Sequence, residues 1–212
     1  MNAMQPTNVP TRNPLSTLRQ FVRKPSGPPA QRCELCGLAL APEHAHLLEP
    51  STRQLVCSCE PCAVLFSGRQ GGRYRRVPRD IWALPEFRLS DIQWEDLRLP
   101  INLVFFVHST PAQRVLALYP SPAGAVESLL TLEAWQTLVA DNPELTELEP
   151  DVEALLVNRM KDARAYYRTP IDECFKLVGL IRAHWRGLSG GTEVWEEVGR
   201  FFTSLEERSR VK

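Results

Sequence analysis

No stretch of the chain approaches the roughly 20 consecutive apolar residues that a membrane-crossing helix requires, and its best run, residues 101–107, is short. Residues 1–14 lack the charged-then-apolar order of a secretory leader, so the thiols are expected to sit in a reducing cytoplasm. Net charge is missing too. The 25 Lys/Arg balance 25 Asp/Glu, which leaves no overall field to attract a polyanion. A glycine-rich phosphate loop, a dinucleotide fingerprint, a nucleophile elbow and an internal repeat are all absent, so the sequence declares no familiar reaction and no solenoid.

Cysteine, by contrast, is concentrated. Five of the six cysteines, Cys33, Cys36, Cys57, Cys59 and Cys62, fall within residues 33–62, a segment without a long apolar run. In a reducing compartment such a cluster argues for metal ligation over disulfides. Zinc favours four soft or borderline ligands in a tetrahedron, and the Cys-x-x-Cys pairs Cys33/Cys36 and Cys59/Cys62 supply them. Gly37 follows the first pair, where positive φ turns backbone N–H groups towards sulphur. Pro61 lies inside the second pair and Ala63-Val64-Leu65-Phe66 follow, which predicts the start of a short helix. With a hairpin between them using Leu47, Leu48, Leu55 and Val56, the expected module is treble-clef or zinc-ribbon-like. Cys57, His44 and His46 are surplus. Cys57 or His46 is an alternate ligand, or Cys57 packs under the hairpin and the histidines are exposed. A single iron is the alternative ion, but Ala63, where a second glycine would help aim amides at sulphur, favours zinc.

Composition divides the chain into a flexible tail with a short docking helix (residues 1–30), a cysteine-rich metal-binding module (31–80) and a larger domain (81–212). In the tail, Asn13 and Pro14 open a helix of about residues 14–23 that places Leu15, Leu18 and Phe21 on one face, and a Pro/Gly/Ser linker follows. A helix that short is marginal alone, so its stripe must dock. In the larger domain, β-branched and aromatic runs at 101–107 and 114–119 predict paired strands, and the proline-rich stretch 119–124 predicts a turn. A helix is expected from Thr131 to Ala140 with Leu132, Trp135 and Leu138 inward. Residues 152–160 and 165–168 suit a hairpin, although 153–159 suit a helix equally well. Two closing helices align Cys174, Leu177, Val178 and Ile181 on one face, and Trp195, Val198, Phe202 and Leu205 on another. The fold class is α+β: an antiparallel sheet with C-terminal helices.

The basic run Arg69, Arg73, Arg75, Arg76 and Arg79 reads as a solvated loop or a protein-binding surface, and Trp185-Arg186 as a turn or an interface anchor. Together with Leu15, Leu18 and Phe21, the residues Arg73, Arg75, Arg76, Trp185 and Arg186 are the candidate partner-binding set. His108, Asp172, Glu173, Cys174 and His184 are of types used in hydrolytic or thiol chemistry, but Cys174 shares an apolar helix face and reads as a buried structural thiol.

The cysteine block, Gly72-Arg73-Tyr74, Phe105-Phe106-Val107-His108-Ser109, the segments 119–125 and 149–159, and residues 184–191 resemble an uncharacterised family whose members are typically encoded beside high-affinity, actinobacterial-type nickel–iron hydrogenases. The resemblance covers residues 15–202. It implies an accessory or assembly role with hydrogenase subunits or maturation factors as partners, and the rival reading is a rubredoxin-like one-electron carrier serving a hydrogenase. It supplies no catalytic residue.

Overall fold

The computed structural model describes residues 31–68, 72–128, 132–187 and 190–211. The docking helix of residues 14–23, Arg69, Thr131 and Leu188-Ser189 lie outside these residues.

A small three-stranded sheet comes first. Strands β1 (Ala45–Glu49) and β2 (Gln54–Ser58) form an antiparallel hairpin in the register Leu47↔Val56, and β3 (Arg75–Arg76) pairs on the other side of β1. Helix α1 (Glu60–Phe66) follows β2 directly, with Cys59 as its N-cap and Pro61 in its first turn, where a missing N–H costs nothing. Alternation sends Ala45, Leu47 and Val56 to one face, where they pack with Ala63 of α1. Leu48 and Leu55 go to the other face and pack into the core of the larger sheet.

That larger sheet has seven strands in the order β10-β4-β9-β8-β5-β6-β7: β4 (Trp82–Ala83), β5 (Leu103–Ser109), β6 (Arg114–Ser121), β7 (Gly124–Ser128), β8 (Glu153–Asn158), β9 (Ala165–Pro170) and β10 (Arg210–Val211). All neighbours are antiparallel except β10 and β4. Helices cover both faces. Phe105, Val107, Leu116, Leu118, Ala154 and Leu156 face α4 (Ile171–His184) and α5 (Gly191–Arg208), which contribute Cys174, Leu177, Val178, Ile181, Val198, Phe202 and Leu205. Val104, Phe106, Ala117, Leu155 and Val157 face the opposite side, against Leu138 of α3 (Leu132–Asp141), Leu145, Leu97 and Trp94 of α2 (Asp91–Asp96).

The expected strands, the hairpin at β8 and β9, and both closing helices are present, so the chain is α+β with largely antiparallel sheets and C-terminal helices. Two local expectations change. The predicted turn 119–124 is mostly strand, because β6 runs on to Ser121 and β7 returns from Gly124. Pro120 fits there since β5 stops pairing β6 at Leu118, leaving no ladder acceptor for the N–H that proline lacks. Trp195 is not inward. It is exposed at the rim of α5, edge-on to Trp185, and Val194 and Phe201 fill the buried stripe in its place.

Candidate metal centre

The Sγ atoms of Cys33, Cys36, Cys59 and Cys62 all lie within 4.8 Å of one another, a group that can hold a metal ion such as zinc. Local chain chemistry explains the convergence. In the first pair the Gly37 N–H donates to the Cys33 carbonyl at 2.8 Å, the Cys33 N–H donates to Leu38 O at 2.8 Å, and Gly37 takes φ +78°. That turn curls Cys33 and Cys36 towards one point. In the second pair Cys59 caps α1, and helical spacing sets Cys62 one turn on, over the same end of the helix. The Glu34 N–H donates to Cys57 O at 2.9 Å and ties the first turn to β2, which delivers the second pair.

Distances decide between bonding modes. Cys36 Sγ and Cys59 Sγ stand 3.6 Å apart, far beyond the about 2.05 Å of a disulfide. They are close to the edge of about 3.8 Å that a tetrahedron with metal–sulphur bonds of about 2.3 Å would have. All six cysteines are free thiols. Cys33, Cys59 and Cys62 are buried while Cys36 is exposed, so the cluster lies just under the surface.

Crowded thiols compete for charge. Burial opposes ionisation of Cys33, yet backbone hydrogen bonds at Cys59, Cys36 and Leu35 and the Cys36 thiol outweigh it and lower its pKa to about 6. Burial, then the thiols of Cys59, Cys36 and Cys33, push Cys62 up to about 12. One thiolate forms easily and suppresses the next. A divalent cation removes that conflict, because it stabilises every thiolate at once.

The surplus residues do not enter the four-thiol group. His44, His46 and Cys57 form a second one, with ligand atoms likewise within 4.8 Å. Burial and then the Glu34 carboxylate raise the Cys57 pKa.

The other candidates are dispersed. Arg73 pairs with Glu49 at 3.0 Å, Arg75 with Glu149 and Asp151 at 3.1 and 3.2 Å, and Arg76 with Glu60. These ion pairs knit β3 to its surroundings. Trp185 packs against the α4/α5 core and donates from Nε1 to Gly187 O at 2.9 Å, while Arg186 bonds the carbonyls of Ala183 and Trp185. Cys174 is fully buried, and burial raises its pKa well above the ordinary thiol value. Glu173 is held by Arg208 at 2.8 Å, and His184 Nδ1 bonds Leu180 O at 3.1 Å. The sequence offers Asp172 only as one of several polar residues near a helix start; its meeting with His46 at 2.7 Å across 126 positions was missed, because no local signal couples a helix start to a distant hairpin.

Among the described residues no helix is long and apolar enough to cross a membrane. Neither a curated protein nor a solved structure matches the chain. The profile of DUF5947, described as a family of unknown function, spans residues 32–209, which takes in the cysteine cluster, every strand of both sheets but β10, and the closing helices, and the chain belongs to that family.

Proposed function

We propose that this protein is a zinc-stabilised accessory factor that binds protein partners, with nickel–iron hydrogenase subunits or their maturation factors as the partner class. The observation that carries the reading is the convergence of Cys33, Cys36, Cys59 and Cys62 where a turn, a hairpin and a helix meet, in treble-clef order. Structural zinc in small peptide modules contributes on the order of 10–16 kcal/mol, enough to organise residues 31–66, whose own apolar cluster is small.

The elements that carry the thiols also present apolar side chains to solvent: Leu38 at 57% exposure, Val64 at 65%, Leu65 at 75% and Phe66 at 44%. Val64, Leu65 and Phe66 are consecutive on α1, and contiguous apolar exposure marks interaction sites. The hydrogenase context comes from the sequence resemblance alone. An iron-bearing electron carrier is the second reading. Against it, the Ala63 N–H donates to Cys59 O at 2.9 Å and the Gly37 N–H to Cys33 O at 2.8 Å, so in both pairs the amide after the second cysteine is withdrawn from sulphur, where it would tune a redox iron.

Purified protein separates the two. A colourless preparation carrying zinc supports the accessory factor, and a red, bleachable one with stoichiometric iron supports the carrier. Capture of purified hydrogenase subunits or maturation factors, lost in Leu65→Asp with metal content unchanged, is the expected partner result. Failure of all of them to bind rejects the hydrogenase assignment.

A further inference from the structure

We infer that His44, His46 and Cys57 form a second metal site, for zinc, that shares no residue with the four-thiol cluster. The sheet register builds it. His46 lies directly opposite Cys57 in the β1–β2 ladder, and His44, two residues earlier, shares the face of His46. The same face continues as Leu48 and Leu55 into the main core, so the three ligands sit at the point where that packed surface meets solvent. Their ligand atoms lie within 4.8 Å of one another, and the imidazole rings meet edge-on at 4.8 Å between centroids.

The histidines are already oriented for metal. His44 Nδ1 lies 2.9 Å from the carbonyl of Ala41, and His46 Nδ1 lies 2.7 Å from Asp172 Oδ2. A carbonyl and a carboxylate accept only, so in each neutral ring Nδ1 carries the proton and Nε2 keeps the lone pair that a metal would take. This is the arrangement in which an outer carboxylate or carbonyl fixes the tautomer and direction of a ligating imidazole. His44 Nε2 is buried without a hydrogen-bond partner. A purely structural His46–Asp172 pair explains neither that orphaned nitrogen nor a thiol on the same face.

Two imidazoles and one thiolate are a borderline-soft donor set suited to zinc, and three protein ligands leave a fourth position for water or another ligand. Both histidines line a groove of about 730 Å³ between the hairpin and α4, bordered also by Asp172, Glu173, Lys176 and Arg208. The groove provides the entry path. Asp172 acts here as a positioning residue.

The test loads the full-length reduced chain with Zn²⁺ or Co²⁺ and counts metal per chain. Two equivalents are expected, with the cobalt form showing one all-thiolate centre and one mixed nitrogen–sulphur centre. His44→Gln and Cys57→Ser each reduce the count to one and keep the all-thiolate spectrum, whose survival also reports that the module remains folded. Asp172→Asn weakens the second site about 10–100-fold without touching the first. Wild-type saturation at one equivalent with an all-thiolate spectrum overturns the second site and leaves the first standing. Two equivalents that persist in His44→Gln and Cys57→Ser overturn it as well. A wild type that saturates at a single mixed nitrogen–sulphur equivalent, lost in Cys57→Ser but kept in Cys36→Ser, upholds this site and refutes the four-thiol centre instead.

Discussion

Arg75 Nη1 donates to Asp151 Oδ2 at 3.2 Å, joining residues 76 positions apart. Asp151 is nearly fully buried, takes φ +66°, and also accepts from the Thr110 N–H at 2.8 Å and the Thr110 hydroxyl at 2.7 Å. One carboxylate thus holds β3 of the small sheet, the turn after β5 and the loop before β8. The edge of the metal module is anchored to the main sheet by charge as well as by Leu48.

Asp151→Asn and Asp151→Ala separate the parts of that anchor. Asparagine tolerates the left-handed backbone and its one oxygen still accepts from the Thr110 N–H, but its NH2 replaces the oxygen that accepts from Arg75 and the Thr110 hydroxyl, so it removes the charge and that acceptor together. Arg75 remains partly solvated, which limits the cost to about 1–2 kcal/mol. Alanine also strands the Thr110 N–H and strains the backbone, and is expected to cost about 2–4 kcal/mol. Urea unfolding measures both. Indistinguishable midpoints for wild type and Asp151→Ala would show that the carboxylate anchors nothing.

The turn between α4 and α5 offers a paired test of strain. A Cβ at Gly190 would stand 3.0 Å from Val194 Cγ1 and 3.1 Å from the Trp185 ring, at φ +88°. Gly187 has φ +62° and open space around it. Gly187→Ala should therefore cost about 1 kcal/mol for the left-handed backbone alone. Gly190→Ala adds the clash and should cost about 2–4 kcal/mol, displacing Trp185 from its contact with Trp195. Tryptophan fluorescence and thermal unfolding read both effects, and equal losses at the two positions would contradict the packing argument.

The parts of the fold legible in the sequence are those with local causes. The β5 and β6 runs are apolar and β-branched, α4 and α5 repeat every three or four residues, and the cysteine pairs have metal-binding spacing. β8 was ambiguous because all six of its residues are buried. A strand covered on both faces shows no alternation, so its period cannot be told from that of a buried helix. The two-residue strands β4 and β10 exist only through long-range pairing and leave no local trace. The second ligand group was visible as surplus His and Cys, but its coherence depends on the cross-strand register and on Asp172 far along the chain.

Metal removal should expose the module's partial dependence on its neighbour. Chelation, or Cys62→Ser, is expected to release the ion and abolish amide protection in β1, β2 and α1, while β5, β6 and β8 stay protected. The larger core does not escape wholly, because Leu48 is fully buried within it. Losing that contact costs the main sheet about 1.5–3 kcal/mol. Hydrogen exchange before and after chelation tests the division, and equal loss of protection in both regions would show a single cooperative unit.

Within the four-thiol cluster, Cys33 is held as a ready thiolate. Its pKa in the folded chain is lowered to about 6 from an ordinary value of 9.0, burial working against the charge and backbone hydrogen bonds at Cys59, Cys36 and Leu35 prevailing. For an acid held below its unfolded value, the stabilising contribution is complete above about pH 9 and is lost as pH falls through about 6. Metal needs the same thiolate, so protons begin to compete for Cys33 only in mildly acidic solution. The metal-free, reduced chain should show one thiolate absorbance step near pH 6, absent in Cys33→Ser. Zinc release, followed with a colorimetric chelator, should grow more steeply with acidity below that step, because Cys33 then adds a proton to those already competing at Cys62. A step that survives Cys33→Ser would assign the acidic thiol elsewhere, and a pH dependence of zinc release that does not steepen below the step would mean that the backbone hydrogen bonds do not protect the charge.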